Sequence, residues 1–154
     1  MGRIVLIALA VVLGLGILQY TRSPQFQIKR VMSRAATAAE NNQLPELLTE
    51  VSDAFRGFGG TKAGLEGLAS KNMREGGWSS ITIISSDIRM ISDKEADATA
   101  CVSFRPNAAS DRKAGVGGVY ELELSFRKGN DGVWRADQAQ SQLIQEDPAI
   151  RNCR

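Results

Sequence analysis

YELELSFRKGNDGVWR, residues 120–135, is an alternation of apolar and polar residues that runs into a turn and out again. Tyr120, Leu122, Leu124 and Phe126 alternate with Glu121, Glu123, Ser125 and Arg127, the period of a half-buried strand. Gly129-Asn130-Asp131-Gly132 is a hairpin turn, so a last strand begins at Val133-Trp134. The same period holds upstream. Ala96, Ala98, Ala100, Val102 and Phe104 alternate with Asp97, Thr99, Cys101 and Ser103, and Pro106 stops that strand. Before it, Ile84, Ile88 and Met90 alternate with polar residues, interrupted by Ser85-Ser86. Ser92–Glu95 reads as a turn and 106–118 as a long polar loop.

The residues before Trp78 carry a helical period instead. Ile28, Val31, Met32, Ala35 and Ala39 form an amphipathic stripe ended by Asn41-Asn42. Pro45 opens a second short helix with Leu44, Leu47, Leu48 and Val51 on one face. A Gly-rich connector covers 52–60. Thr61 caps a third helix bearing Leu65, Leu68, Ala69 and Met73, closed by Gly76-Gly77. Helices followed by an antiparallel meander with one apolar face predict an α+β domain of about three helices on a curved four-stranded sheet.

Composition excludes several function classes. The chain has 154 residues with 19 Lys+Arg, 17 Asp+Glu, no His and two Cys. Without His there is no Ser-His-Asp or Cys-His nucleophile system, no His-ligated zinc and no histidine pH switch. Two cysteines are too few for a four-thiolate metal site, so no metal or cofactor is expected. A net charge of +2 does not point to nucleic acid.

Ile4–Leu18, IVLIALAVVLGLGIL, carries no charge. With Gln19 and Tyr20 it spans about 25 Å as a helix, which fits a short membrane anchor or a signal-peptide core. Pro24 disfavours cleavage after Ser23, so the reading taken is an anchor over 1–21, touching lipid through residues 4–20. A folded domain over 22–146 and an irregular tail over 147–154 follow. Arg22, Lys29, Arg30 and Arg34 after the anchor favour a cytoplasmic side by charge count, whereas the short N-terminal tail favours export. An extracytoplasmic, periplasmic domain is the expectation.

The order of elements, the Asp53–Gly57 connector, and the Leu122–Arg127 strand running through Gly129-Asn130-Asp131-Gly132 into Val133-Trp134-Arg135 resemble the nuclear transport factor 2-like superfamily, the cystatin-like cone fold. The resemblance covers about residues 26–143. It implies a cone closed by helices, in which related enzymes do acid–base chemistry. It also implies that the outer sheet face mediates homodimers, here through Glu121, Glu123, Arg127, Arg135 and Asp137. A single anchor before such a domain also resembles, in architecture only, inner-membrane scaffold components of type IV secretion systems.

Asp53 is the best candidate acid or base among the carboxylates, because the connector after helix two lies near the cone mouth in this fold; its alternative reading is a turn Asp beside Arg56. Phe104, Tyr120 and Trp134 share the apolar parity and are candidates to line a pocket. Asp87 and Arg89 match Asp137 and Arg135 in parity, which predicts cross-strand pairs if those strands are neighbours. Cys101 and Cys153 are expected to pair if the domain is exported. The small residues Ala96, Ala98 and Ala100 suggest that the third helix approaches closely and fills the cone. The function expected is a membrane-tethered, non-catalytic domain that binds a partner protein or a small apolar ligand. The alternative is a small lyase, isomerase or hydrolase using Asp53.

Overall fold

The computed structural model describes residues 22–58, 60–107 and 117–145. The segment read as an anchor lies outside them, and no helix among the described residues is long and apolar enough to cross a membrane. The elements are α1 (Pro24–Glu40), α2 (Leu44–Thr49), β1 (Val51–Gly57), β2 (Gly60–Thr61), α3 (Lys62–Arg74), β3 (Trp78–Met90), β4 (Glu95–Pro106), β5 (Gly118–Lys128) and β6 (Trp134–Gln145).

Local signals place the helix ends. Ser23 accepts from the Phe26 amide at 3.2 Å and Pro24 opens α1, where a missing N–H costs nothing. Asn42, with φ of 56°, ends it in the left-handed region that Asn tolerates. Thr61 caps α3 by accepting from the Gly64 amide at 3.3 Å.

Among the described residues the sheet has six strands, in the order β2-β1-β6-β5-β4-β3, two more than the alternation predicts. The stretch read as a connector is β1, which pairs parallel with β6 and antiparallel with β2. Its pattern hides from a period-two reading because the pairing register breaks between Val51 and Arg56. Val51 and Phe55 are buried and pack on Ala139, while the residues between them turn outward. Gly57 has φ of 152°, and a Cβ there would overlap the Ala139 carbonyl, so only glycine lets β1 finish against β6.

In β3 the register shifts between Ile83 and Ser85. Ile81 and Ile83 face the core before the bulge, Ile88 and Met90 after it. Ile84, read with Ile88 and Met90, is the residue the bulge displaces. The β3 and β6 strands are separated by β5 and β4, so Asp87 and Arg89 do not meet Asp137 and Arg135. Arg89 instead reaches Asp97 at 3.4 Å on its true neighbour, β4.

The core corrects a second expectation. The helix packed over Ala96, Ala98 and Ala100 is α1, through Ile28, Val31 and Met32, together with Phe126 and Trp134. The α3 helix packs on β1 and α2 instead. Short alanines do admit a close helix, but at the narrow end of the cone, leaving the wide end open.

In the β5–β6 turn, Arg135 donates to Asp131 at 2.7 and 3.2 Å. This pairing, helped by the Val133 amide, holds the Asp131 carboxyl down at about 2. A carboxylate depressed below its unfolded value, about 3.9, stabilises the fold above that value. The contribution is lost as pH falls toward about 2. An Asp131→Asn variant is expected to show a shallower stability loss between about pH 4 and pH 2 than the parent, read by urea unfolding across that range. Identical acid limbs would show that the pair does not contribute.

Candidate functional site

The α1 helix ends with Glu40 accepting a hydrogen bond from the Ile81 amide, near the start of β3. It therefore runs antiparallel to β3, and its C-terminal half roofs the wide end of the cone. Val31, Met32, Ala35, Ala36 and Ala39 present small or unbranched side chains there. Ile81, Ile83, Val102, Phe104, Tyr120, Leu122 and Leu124 form the floor, and Phe58, Leu65 and Leu68 close one side. They enclose an open cavity of about 420 Å³. That volume falls in the range of small-molecule sites. The expectation of a filled cone is thereby corrected: α3 packs on β1 and not across the alanines of β4, and no side chain long enough to fill the gap projects from those alanines.

The walls are apolar with few exceptions. Glu50, almost buried, stands at the junction of α2 and β1, and both its oxygens accept from Arg34, at 2.6 and 2.8 Å. The hydrogen bond to Glu50 raises the Arg34 pKa further. This bidentate pair neutralises the one carboxylate that the described residues place in the wall. Tyr120 packs edge-on to Phe104 at 5.5 Å, and burial pushes its phenol up from its ordinary value. Asn72, Trp78 and Ser141 complete the polar contribution. The Asn72 Oδ1 and Trp78 Nε1 atoms are buried without a hydrogen-bond partner.

The residues singled out from the sequence separate in space. Phe104 and Tyr120 line the cavity; Trp134 does not, because β6 carries it to the narrow end, where it is 2% exposed in the core. Asp53 is not a cavity residue. Parity with Val51 and Phe55 would point it inward, but the register break in β1 turns it out, and its side chain is 99% exposed. Lys62 donates to it at 2.9 Å and holds its carboxyl below the usual range. Such a group, solvated and ionised, is a poor proton acceptor for apolar chemistry. Glu50, Leu47 and the Ala35-Ala36 pair are cavity residues that sequence reading missed. Ala35 lay on the α1 stripe and Leu47 on the α2 stripe, but both stripes read as core.

Cys101 lies on the outer face of β4, is buried and is disulfide-bonded. Its expected partner, Cys153, lies outside the described residues. On the same face Arg127 bridges Glu95 and Asp137, each at 3.5 Å, and Ser52 donates to Asp137 at 2.7 Å. Arg135 is held by Asp131. Of the charges read as a dimer surface, Arg127, Arg135 and Asp137 thus have partners within the chain. Among the described residues no cluster of side chains suited to a metal ion occurs.

No protein-family model and no curated protein matches this sequence. Solved structures do match in shape. A nuclear transport factor 2-like protein with a cystatin-like fold from Novosphingobium aromaticivorans superposes with a TM-score of 0.63 at 16% identity, covering 92% of each chain. The hexachlorocyclohexane dehydrochlorinase LinA-type3 from Novosphingobium barchaimii gives 0.64 at 11% identity, covering 78% of this chain and 86% of that one. Against Bdellovibrio bacteriovorus Bd1075 the TM-score is 0.60 at 12% identity, and the match covers 76% of this chain but 39% of the other. Similarity at this level carries the fold and not the chemistry: the described residues form an α+β cone of the nuclear transport factor 2-like, cystatin-like kind.

Proposed function

We propose that this protein is a non-catalytic binding domain for a small apolar ligand, tethered to the membrane by residues 4–20 and held outside the cytoplasm. The observation that carries the binding reading is the open cone of about 420 Å³, whose wall among the described residues holds one carboxylate, tied on both oxygens to Arg34. An acid–base enzyme needs a placed proton acceptor at its substrate. Asp53 is outside the cavity and ion-paired, and Glu50 is occupied. Binding of an apolar molecule needs only the walls that are present. The tether rests on the uncharged run Ile4–Leu18.

The test uses the full chain in detergent or lipid and the fluorescent probe N-phenylnaphthylamine. Ala36 lines the cavity from a half-buried helical position, so Ala36→Trp fills the cone without cutting the core. Probe affinity is expected to fall by about tenfold or more, equivalent to about 1.4 kcal/mol. Ser33→Trp, on the exposed side of the same helix, leaves it unchanged. Equal affinity in parent and Ala36→Trp would place the probe elsewhere and end the cavity reading. Extraction of the protein by salt or carbonate would end the tether.

A further inference from the structure

The narrow end of the cone, opposite the cavity, carries two exposed apolar hairpin tips. Ile91 is 53% exposed in the β3–β4 turn, and Val133 is 41% exposed at the end of the β5–β6 turn. In an antiparallel meander these two turns share one end of the sheet, as the bond from the Lys128 amide to the Lys94 carbonyl shows. The same end receives the first turn of α1, because α1 runs antiparallel to β3 and finishes at Ile81. Chain continuity therefore brings residue 22, four positions after the apolar run Ile4–Leu18, to the side of the hairpin tips.

Charge agrees with that placement. Arg22 precedes the cap of α1, Lys29 and Arg30 lie in its first two turns, Lys94 follows Ile91, and Lys128 precedes the second turn; among the described residues none of the five is in an ion pair. The acidic groups of this end are mostly neutralised. Glu95 is held by Arg127 and Asp131 by Arg135, leaving Asp93. Apolar tips ringed by long cationic side chains suit the boundary of an anionic bilayer, where the tips enter the headgroup layer and the ammonium groups meet phosphate.

We propose that this end of the domain rests on an anionic lipid surface through Ile91 and Val133, with Lys94, Lys128 and the basic first turns of α1 around them. The proposal rests on the tether described above and deepens it: the cone is seated on the bilayer, with its mouth directed to the aqueous side. The ligand then arrives from solution and not from the lipid beneath.

Hydrogen exchange on the full chain tests it, in nanodiscs of phosphatidylcholine with and without phosphatidylglycerol. Peptides covering 91–95 and 129–134 are expected to exchange about tenfold more slowly in the anionic discs. Peptides around Leu68, at the mouth, are unchanged. The protection disappears in Ile91→Ser/Val133→Ser and in Lys94→Glu/Lys128→Glu, and weakens with salt. Equal tip exchange in both discs, with the protein incorporated, overturns the seating while the tether stands. If the chain does not enter discs, the tether falls, and the same peptides are read on protein mixed with phosphatidylglycerol vesicles: protection there keeps the lipid surface, and its absence overturns it. Protection in detergent alone that grows with protein concentration assigns the tips to contact between copies and also overturns it.

Discussion

Trp134→Ala is expected to destabilise the protein by about 3–5 kcal/mol, a loss comparable with the whole stability of many domains. The indole is among the largest fully buried side chains and packs with Ile28, Phe126 and the alanines of β4 at the narrow end. Truncation removes its transfer free energy and leaves a void that the hairpin after Gly132 and the first turns of α1 are too constrained to close. Its Nε1 has no hydrogen-bond partner, so nothing polar is lost with the ring. Trp134→Phe therefore gives up area but also removes a buried, unsatisfied donor, and is expected to cost below about 1.5 kcal/mol. Urea unfolding measures both. Because Trp134 does not itself line the cavity, Trp134→Phe is also expected to leave N-phenylnaphthylamine affinity unchanged. A Trp134→Ala cost under about 1 kcal/mol, or lost probe binding in Trp134→Phe, would return this residue to the pocket.

Loss of the disulfide at Cys101 is expected to cost about 2–5 kcal/mol in Cys101→Ala. The proposed partner is Cys153. A bridge between them closes a loop of about 50 residues, and the loop-entropy model gives on the order of 4 kcal/mol for that length before strain. The position supports an effect of this size. Cys101 is buried on the outer face of β4, beside Ser103 and Val119, which are also buried there although the described helices cover the other face. The alanine also gives up that packing. Unfolding with and without reductant should give a difference smaller than the substitution by the packing that the alanine gives up, and reductant should not affect the variant. Two titratable thiols in unfolded, unreduced protein would refute the pairing.

How far the sequence carries the fold depends on whether a signal is local. Strict alternation in 96–104 and 120–126, with turns at 92–95 and 129–132, set strands β4 and β5 and the two hairpins, because strand period and turn chemistry act within a few residues. Thr61, Asn42 and the Gly76-Gly77 pair marked helix ends for the same reason, each answering a backbone group one turn away. The absence of His excluded whole chemistries without any structure.

Only the tertiary structure decided which apolar residues are core and which are walls. Ala35 and Leu47 on helical stripes, and Phe104, Tyr120 and Trp134 on strand alternation, all carry the signal of an apolar face, yet of these only Trp134 is sealed in the core, because α1 covers the narrow end of the sheet and α3 packs on β1 and not across the wide end. The register break in β1 did the same for Asp53. Regular pairing would have pointed it with Val51 and Phe55 toward the cavity, and the irregular pairing with β6, a strand some eighty residues later, turns it to Lys62 and solvent. A pairing partner that far along the chain leaves no trace in the residues beside Asp53, since the bulge is set by the geometry of two strands and not by either one alone.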